Sequence, residues 1–560
     1  MHPALEQPDI EPNIIQQWTE ASTLLATAIS RFCDLSTLLE TQCTFRNEGS
    51  SDMIDRLDLS LNYLQSSVDR RLTQARVSLA KTRNRLTRNV FTIPQEVLCE
   101  IFQHAIYSPN RGNEPSTNVM DMSYRVGIIY RRLYSLLSVC KAWWQVGITC
   151  RNLWSVTPIF PPEIGCLPSQ PDLSLQRGPS KGLNLAASLT RGSLHRLSDL
   201  GPHRSRFSTI NISYNPDSGR ALSELLGIFL RGNTLPSISR LSLYDTLEED
   251  LDKHLIGFRP QFQQLLGSLS TLRLSGFTLD WRRVTFSNRL VALQLSRISL
   301  GEQSRIEIFI SALATANTLR DLKLISIRGV PDEAWHTIIP SSETPILPHL
   351  ECLYIGDVCI NIFNLFIKAI ASGSYRLTLN ITPAFITRYY LSNNSTSSPK
   401  FANVDCDEFC ASLHLAKINK LVIGMDKRMW STPTGFRALL KSLPELKTIV
   451  LNYCSIESDI LKAFRQPPRP SGCKVSFPRL EVIEFHRSAF GSPLGQLKKE
   501  FKDVLASHPV QRMILGMHFE EVQEDDPMIR WLKTTVPEFR LFPMEDVASE
   551  LCSTWELWDV

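Results

Sequence analysis

A short pattern, apolar-x-x-apolar-x-apolar, returns along this chain at intervals near thirty residues. It occurs at Phe207/Ile210/Ile212, Ile238/Leu241/Leu243, Leu269/Leu272/Leu274, Leu290/Leu293/Leu295, Leu319/Leu322/Leu324 and Leu350/Leu353/Ile355. It resumes at Ile418/Leu421/Ile423, Leu446/Ile449/Leu451, Leu480/Ile483/Phe485 and Val510/Met513/Leu515. A weaker copy has Ser374 in the first place ahead of Leu377 and Leu379, and Leu183/Leu185 begins the series. Alternation over the last three positions marks a short strand with one buried face. The middle residues lie 21 to 44 residues apart, about 30 on average, which leaves room for a helix between strands. One such helix is visible in Ala221, Leu222, Leu225, Leu226, Phe229 and Leu230. A strand-plus-helix unit cannot bury its own apolar face, so successive units must stack. The expected fold is α/β, with a parallel sheet inside and helices outside, over residues 183–540.

The spacing lies at or just above the long end of the leucine-rich-repeat range. The Asn or Cys usual after the strand of such a repeat is present at Asn215 and Cys454. Elsewhere the place holds Thr246, Phe277, Ile298, Ile327 or Val358, which predicts an irregular solenoid. Chance patterning in a leucine-rich chain does not explain near-even copies that follow turns such as "LPSISRLSL" and "LPELKTIVL". The longest step contains "LSNNSTSSPK" at 391–400 and predicts a protruding loop.

Composition bounds the function. Hydrophobic content of 43% and charged content of 21% are globular values, and a net charge of +4 excludes bulk polyanion binding. Residues 70–88 hold seven cations and no acid, whereas residues 519–560 hold eleven acids and three bases. The basic run lacks interleaved aromatics, so nucleic acid is disfavoured as a partner. It fits the solvated face of a helix, or pairing with the acidic end. No secretory signal is evident. The most apolar stretch, Leu353 to Ile370, is broken by Asp357, Asn361, Asn364 and Lys368, so no membrane span is expected. Thirteen scattered cysteines suit a reducing compartment, cytoplasmic or nuclear. There is no phosphate-binding glycine loop and no hydrolase motif, so neither cofactor nor catalytic residue is expected. Cys406, Cys410 and His414 share one helix face and offer three zinc donors, but the same spacing beside Phe409 and Leu413 describes a core-facing helix. The core reading is preferred, and no metal is assigned.

Before the repeats, residues 1–48 form a mildly acidic segment with a helix near Ile14 to Leu39. Residues 49–90 form an amphipathic, basic-ended helix. Asp52 and Asp55 suit its start. Ile54, Leu57, Leu61, Leu64 and Val68 then make a seam of about two heptads, which ends where Arg71 replaces an apolar residue. So short a seam favours a helix packed on its own protein over a dimerising coiled coil. After the repeats, residues 541–560 are an acidic cap or tail. Trp531, Trp555 and Trp558 would cover the open end of the last repeat.

Residues 91–157 differ from both flanks. They read "TIPQEVLCEIFQHAI", then an insert at 107–132, then "LYSLLSVCKAWWQVGITCRNLW". Pro94 suits a helix start, where its missing N–H has no partner to lose. Val97, Leu98, Ile101, Phe102, Ala105 and Ile106 form one apolar stripe. A second helix carries Leu133, Leu136, Leu137, Cys140, Trp143 and Trp144. Residues 158–182 are a proline-rich linker.

The pattern "IP-E-L--IF", "L--VCK-WW" and "LW" resembles an F-box. The order of parts is similar to that of the large fungal F-box group, with a helical leader and a degenerate leucine-rich-repeat body. The resemblance implies a three-helix module docking on a Skp-type adaptor of a cullin ubiquitin ligase through Ile93, Pro94, Leu98, Ile101, Val139, Cys140 and Trp143. Trp154 matches the residue that closes the module. The insert 107–132 and Trp144, in place of the usual Arg, depart from the family pattern. The implied role is a substrate receptor, not an enzyme, with an unidentified target held by the repeats. The alternative is a ligase-independent interaction scaffold.

Overall fold

The computed structural model describes residues 12–45, 51–86, 93–108, 120–160, 172–190, 194–215, 220–231, 237–330, 346–370, 375–390, 400–424, 432–467, 477–517 and 526–543. The chain divides into two units, Met1–Pro94 and Gln95–Val560. The first unit holds helix α1 (Pro12–Phe45) and a second long helix made of α2 (Ser51–Tyr63), a π turn at Leu64–Val68 and α3 (Asp69–Leu86). In the turn the Asp69 N–H bonds the Leu64 carbonyl five residues back, and both flanking residues stay helical. Such a turn inserts one residue into the helix. The seam that the spacing ends at Arg71 therefore continues one position later, at Leu72 and Leu79.

The second unit opens with three helices, α4 (Gln95–Tyr107), α5 (Met120–Leu137) and α6 (Lys141–Thr149). The strands are β1 (Val156–Ile159), β2 (Leu183–Leu189), β3 (Phe207–Tyr214), β4 (Arg240–Asp250), β5 (Thr271–Thr278), β6 (Ala292–Glu302), β7 (Asp321–Val330), β8 (Cys352–Gly356) and β9 (Arg376–Ile381). They continue as β10 (Thr387–Tyr390), β11 (Lys400–Asn403), β12 (Ile418–Ile423), β13 (Thr448–Asn452), β14 (Ser455–Ile456), β15 (Val482–His486), β16 (Ala489–Phe490), β17 (Arg512–Met517) and β18 (Glu538–Pro543). Fourteen of them form one parallel sheet in chain order, from β1 to β18, with β10–β11 and β14–β16 as separate pairs. This is the solenoid: each strand pairs with the next, and helices such as Ala221–Leu230 and Gln303–Ala314 return the chain.

Register shows why the pattern works. Ile210, Leu241, Leu272, Leu293, Leu322 and Leu353 are successive partners across β3 to β8, and all are at most 1% exposed. Burying one such leucine contributes about 1.5–3 kcal/mol. Between the helices, rings stack from repeat to repeat, with Trp281–Phe309 at 4.8 Å, Phe309–Phe366 at 5.9 Å and Phe385–Phe409 at 5.6 Å. The weak copy is where the register steps. Leu377 of β9 pairs Leu353 on one side, but Leu379 pairs Leu421 on the other. A two-residue step keeps every side chain on its face, which a one-residue step would not. Asn419, unpaired at the bulge, accepts the Leu377 N–H on its Oδ1 at 3.1 Å.

The sheet is longer than the spacing expects. β1 overlaps the expected linker, and β18 crosses the expected boundary at 540. Turns after the strands also replace the usual Asn or Cys by a different device. Gly276, Arg297, Ser326, Asp357, Tyr453 and Arg487 each stand two residues past the last inward side chain and have φ between 48° and 74°. The left-handed residue turns the chain, and the next one, Phe277, Ile298, Ile327 or Val358, drops into the core. The loop expected at 391–400 falls largely outside the described residues, between the antiparallel partners Tyr390 and Lys400. Trp531 packs against the core at the last repeat; Trp555, Trp558 and residues 544–560 lie outside the described residues.

Candidate docking surface on the three-helix module

Pro94 directly precedes α4 and is exposed, and Ile93 is half-buried. Along α4 the apolar stripe splits into two rows. Leu98, Phe102 and Ile106 point inward, whereas Val97 and Ile101 remain 44% and 47% exposed. The sequence reads residues 107–132 as an insert, but α5 begins at Met120. Its buried Met122, Val126, Ile129, Tyr130 and Leu133 recur at helical spacing and carry the helix through that segment. Residues 109–119 of the connection lie outside the described residues.

The turn into α6 presents Val139, 58% exposed. Cys140 caps the helix, its Sγ accepting the Trp143 N–H at 3.5 Å. Trp143 is half-buried with its ring 4.8 Å from Phe102, and Trp144 is 50% exposed. Gly147 lets α6 lie against α5, since an added Cβ would come within 2.1 Å of Leu137. Gln95 Nε2 donates to Thr149 Oγ1 at 2.8 Å, so the start of α4 meets the end of α6. Trp154 is buried and donates its Nε1 hydrogen to the Gly147 carbonyl at 2.8 Å. The Tyr130 hydroxyl donates to the Val156 carbonyl at 2.7 Å, which fastens the module to β1.

The expected docking residues thus fall into three groups. Leu98 belongs to the module's core. Ile93, Cys140 and Trp143 are half-buried. Pro94, Ile101 and Val139 are exposed. The sequence reading did not assign Val97 and Trp144 to the surface. Val97 lies four residues before Ile101, and that spacing marks a second row on the helix. Burial, then the hydrogen bond and charge of Cys150, push the Cys99 thiol up to about 12, and burial pushes the Tyr107 phenol up to about 12.

A second surface is the outward row of the sheet. Arg273, Gln294, Lys323, Tyr354, Thr378, Lys420, Thr448, Val482, Arg512 and Glu538 are successive register partners, all half-buried. The next outward row is small and polar at Ser213, Ser275 and Ser296, and apolar at Val422, Val450 and Ile514. Within it Glu484 is buried, 3.1 Å from His486 Nε2 and 3.7 Å from Arg512. Burial opposes its ionisation. The His486 hydrogen bond and the charges of Lys420, His486 and Arg512 outweigh that and hold the carboxyl below its ordinary range.

Two further constellations bring polar or sulfur side chains together. Ser223 Oγ lies 3.1 Å from His254 Nδ1, and His254 Nε2 lies 3.2 Å from Glu249. A groove of about 540 Å³ lies apart from them, lined by Tyr130, Arg131, Tyr134, Ser135 and Ser138. Cys410 packs on the core, where burial and then Cys406 push its thiol up to about 11. Among the described residues no metal-holding cluster is found, and no helix is long and apolar enough to cross a membrane.

No family's sequence model matches the chain. No curated protein matches it. Three solved structures show a weak likeness. The leucine-rich repeat-containing protein LegL7 from Legionella pneumophila is 14% identical over 68% of this chain and 97% of its own, at a TM-score of 0.31. The TLR13–ssRNA13 complex is 12% identical over 66% of this chain at a TM-score of 0.31, and the chain spans about half of it (47%). The Rad7 and Elc1 complex of yeast is 12% identical over 75% of this chain and 93% of its own, at a TM-score of 0.30.

Proposed function

We propose that this chain is a substrate-recognition subunit of a Skp–cullin–F-box ubiquitin ligase. One observation carries the reading. The module that resembles an F-box fills its core with Leu98, Phe102, Ile106, Leu133 and Trp154, yet keeps Val97, Ile101, Val139 and Trp144 at its surface. Apolar residues that a small helical core does not use mark a contact with another protein. In this reading the adaptor covers them, and the repeats hold the target through the outward row of the sheet. The chain is then no enzyme. It raises the effective concentration of target lysines at a thioester carried by other subunits.

The test is capture of a purified Skp-type adaptor by the intact chain. A stable complex is expected, and Ile93→Asp combined with Pro94→Ala should abolish it while the thermal melt is unchanged. An intact chain that captures no adaptor overturns the proposal. The hydrogen bond from Tyr130 to β1 favours a second reading, in which the module serves as an end cap of a ligase-independent scaffold. That reading requires the surface variants to leave every partner bound.

A further inference from the structure

The Met1–Pro94 unit carries more apolar surface than its own two helices can use. In α1, Ile14, Trp18, Ala21, Leu25, Ala28, Phe32, Leu35 and Leu39 recur at alternating steps of four and three. This is an a/d seam of about four heptads. Ile15 and Ile29 flank it on one side, and Leu24 and Leu38 on the other. The large side chains of this stripe are 37 to 71% exposed. A two-helix seam needs two positions in seven, and α1 supplies about three. Stripes this wide are those of helices that pack against more than one neighbour.

The helix 51–86 supplies the matching narrow seam. Ile54, Leu57, Leu61, Leu64, Val68, Leu72 and Leu79 stay in line because the π turn adds its extra residue. The charges on this helix are divided along its length. Residues 51–68 carry Asp52, Asp55 and Asp58 against Arg56 alone. Residues 69–86 carry Arg70, Arg71, Arg76, Lys81, Arg83 and Arg85 against Asp69. Laid parallel on a second copy, the cations would oppose cations. Laid antiparallel, Ile54 meets Leu79, Leu61 meets Leu72 and Leu64 meets Val68, and the acidic half lies along the basic half.

We infer that residues 12–86 join two copies of this chain in an antiparallel four-helix bundle. In it each α1 packs between its own helix 51–86 and the α1 of the second copy, and the two 51–86 helices run head to tail. Leu24, Leu38, Ile15 and Ile29 are the side chains that one neighbour alone would leave wet. Opposite charges set the direction of the pairing, as they set partner orientation in coiled coils.

The test is sedimentation equilibrium of the full chain. The expected mass is twice the 63.5 kDa of one chain. Leu24→Lys with Leu38→Lys should weaken the dimer by about a hundredfold without loss of helix content. Reversing Asp52, Asp55 and Asp58 to Lys should weaken it, and adding Arg70→Glu, Arg71→Glu and Arg76→Glu to that variant should restore it. A wild-type chain that stays monomeric overturns the inference, since its stripe is then covered within the chain or by another partner. So does a dimer that ignores both sets of changes, or a charge-reversed variant that the second reversal does not rescue.

Discussion

The repeats and the helices before them place the same kind of side chain in opposite ways. Leu241, Leu272, Leu293 and Leu322 are at most 1% exposed, whereas Trp18, Leu24 and Phe32 of α1 are at least half exposed. In the repeats the period of the pattern matches a strand that always has a next strand to pair with, so the apolar face is used up within the chain. In α1 the period is equally regular, but no described residue of its own unit closes over it. The three-helix module stands between these cases, with one row of α4 buried and the neighbouring row exposed. The difference separates apolar residues that make the fold from those that the described residues leave exposed.

The largest expected effect lies on the buried side of this comparison. Phe366 is fully buried between Phe309 and the neighbouring repeats. Phe366→Ala should cost about 3–5 kcal/mol in urea unfolding, whereas Val139→Ala should stay within about 0.5 kcal/mol. Equal costs would erase the distinction. Asp245 comes next, a fully buried carboxylate that accepts the N–H groups of Leu247 at 3.1 Å and Glu249 at 2.8 Å. Asp245→Ala strands those donors and should cost about 1–3 kcal/mol. Asn419→Ala removes the side chain that closes the bulge opposite β9 and should cost about 1 kcal/mol by the same measurement.

The smallest effect is one of pH. His508 is buried, donating from Nε2 to the Phe464 carbonyl at 2.8 Å and accepting the Leu480 N–H on Nδ1 at 3.3 Å. Burial, only partly offset by the Phe464 bond, lowers its pKa in the fold. The unfolded chain then binds the proton more readily. The contribution is full above the ordinary histidine value of about 6.5. It is lost as pH falls from there toward the folded value. Stability of the wild type should decline over that window, and His508→Gln should flatten the decline. An unchanged slope would show that the ring does not carry it.

Much of this was legible in the residues. All of the repeat copies read from spacing fall at the strands of the sheet. A further copy, Val536/Phe539/Leu541, obeys the same pattern and forms β18, but acidic neighbours disguise it as a tail. β1 escaped because Thr157 stands where a leucine is usual and Pro158 suggests a linker. At the edge of a sheet a proline is tolerated, because its missing N–H is not needed there. The left-handed turns were invisible except at Gly276, since Arg297, Ser326 and Tyr453 carry no conformational signature in sequence. On the module, the broad apolar stripe of α4 is legible, but spacing alone does not separate its buried row from its exposed one. The continuation of the 51–86 seam was hidden because a π turn changes the period without leaving a mark in composition.

Titration of a purified Skp-type adaptor onto matched variants tests the proposed docking through the exposed row of the three-helix module most directly. Ile101→Asp with Val139→Asp should weaken adaptor binding by about a hundredfold at an unchanged melting temperature. Leu98→Asp should lose binding and fold together. An adaptor that binds the first variant as tightly as the wild type would contradict docking through that row.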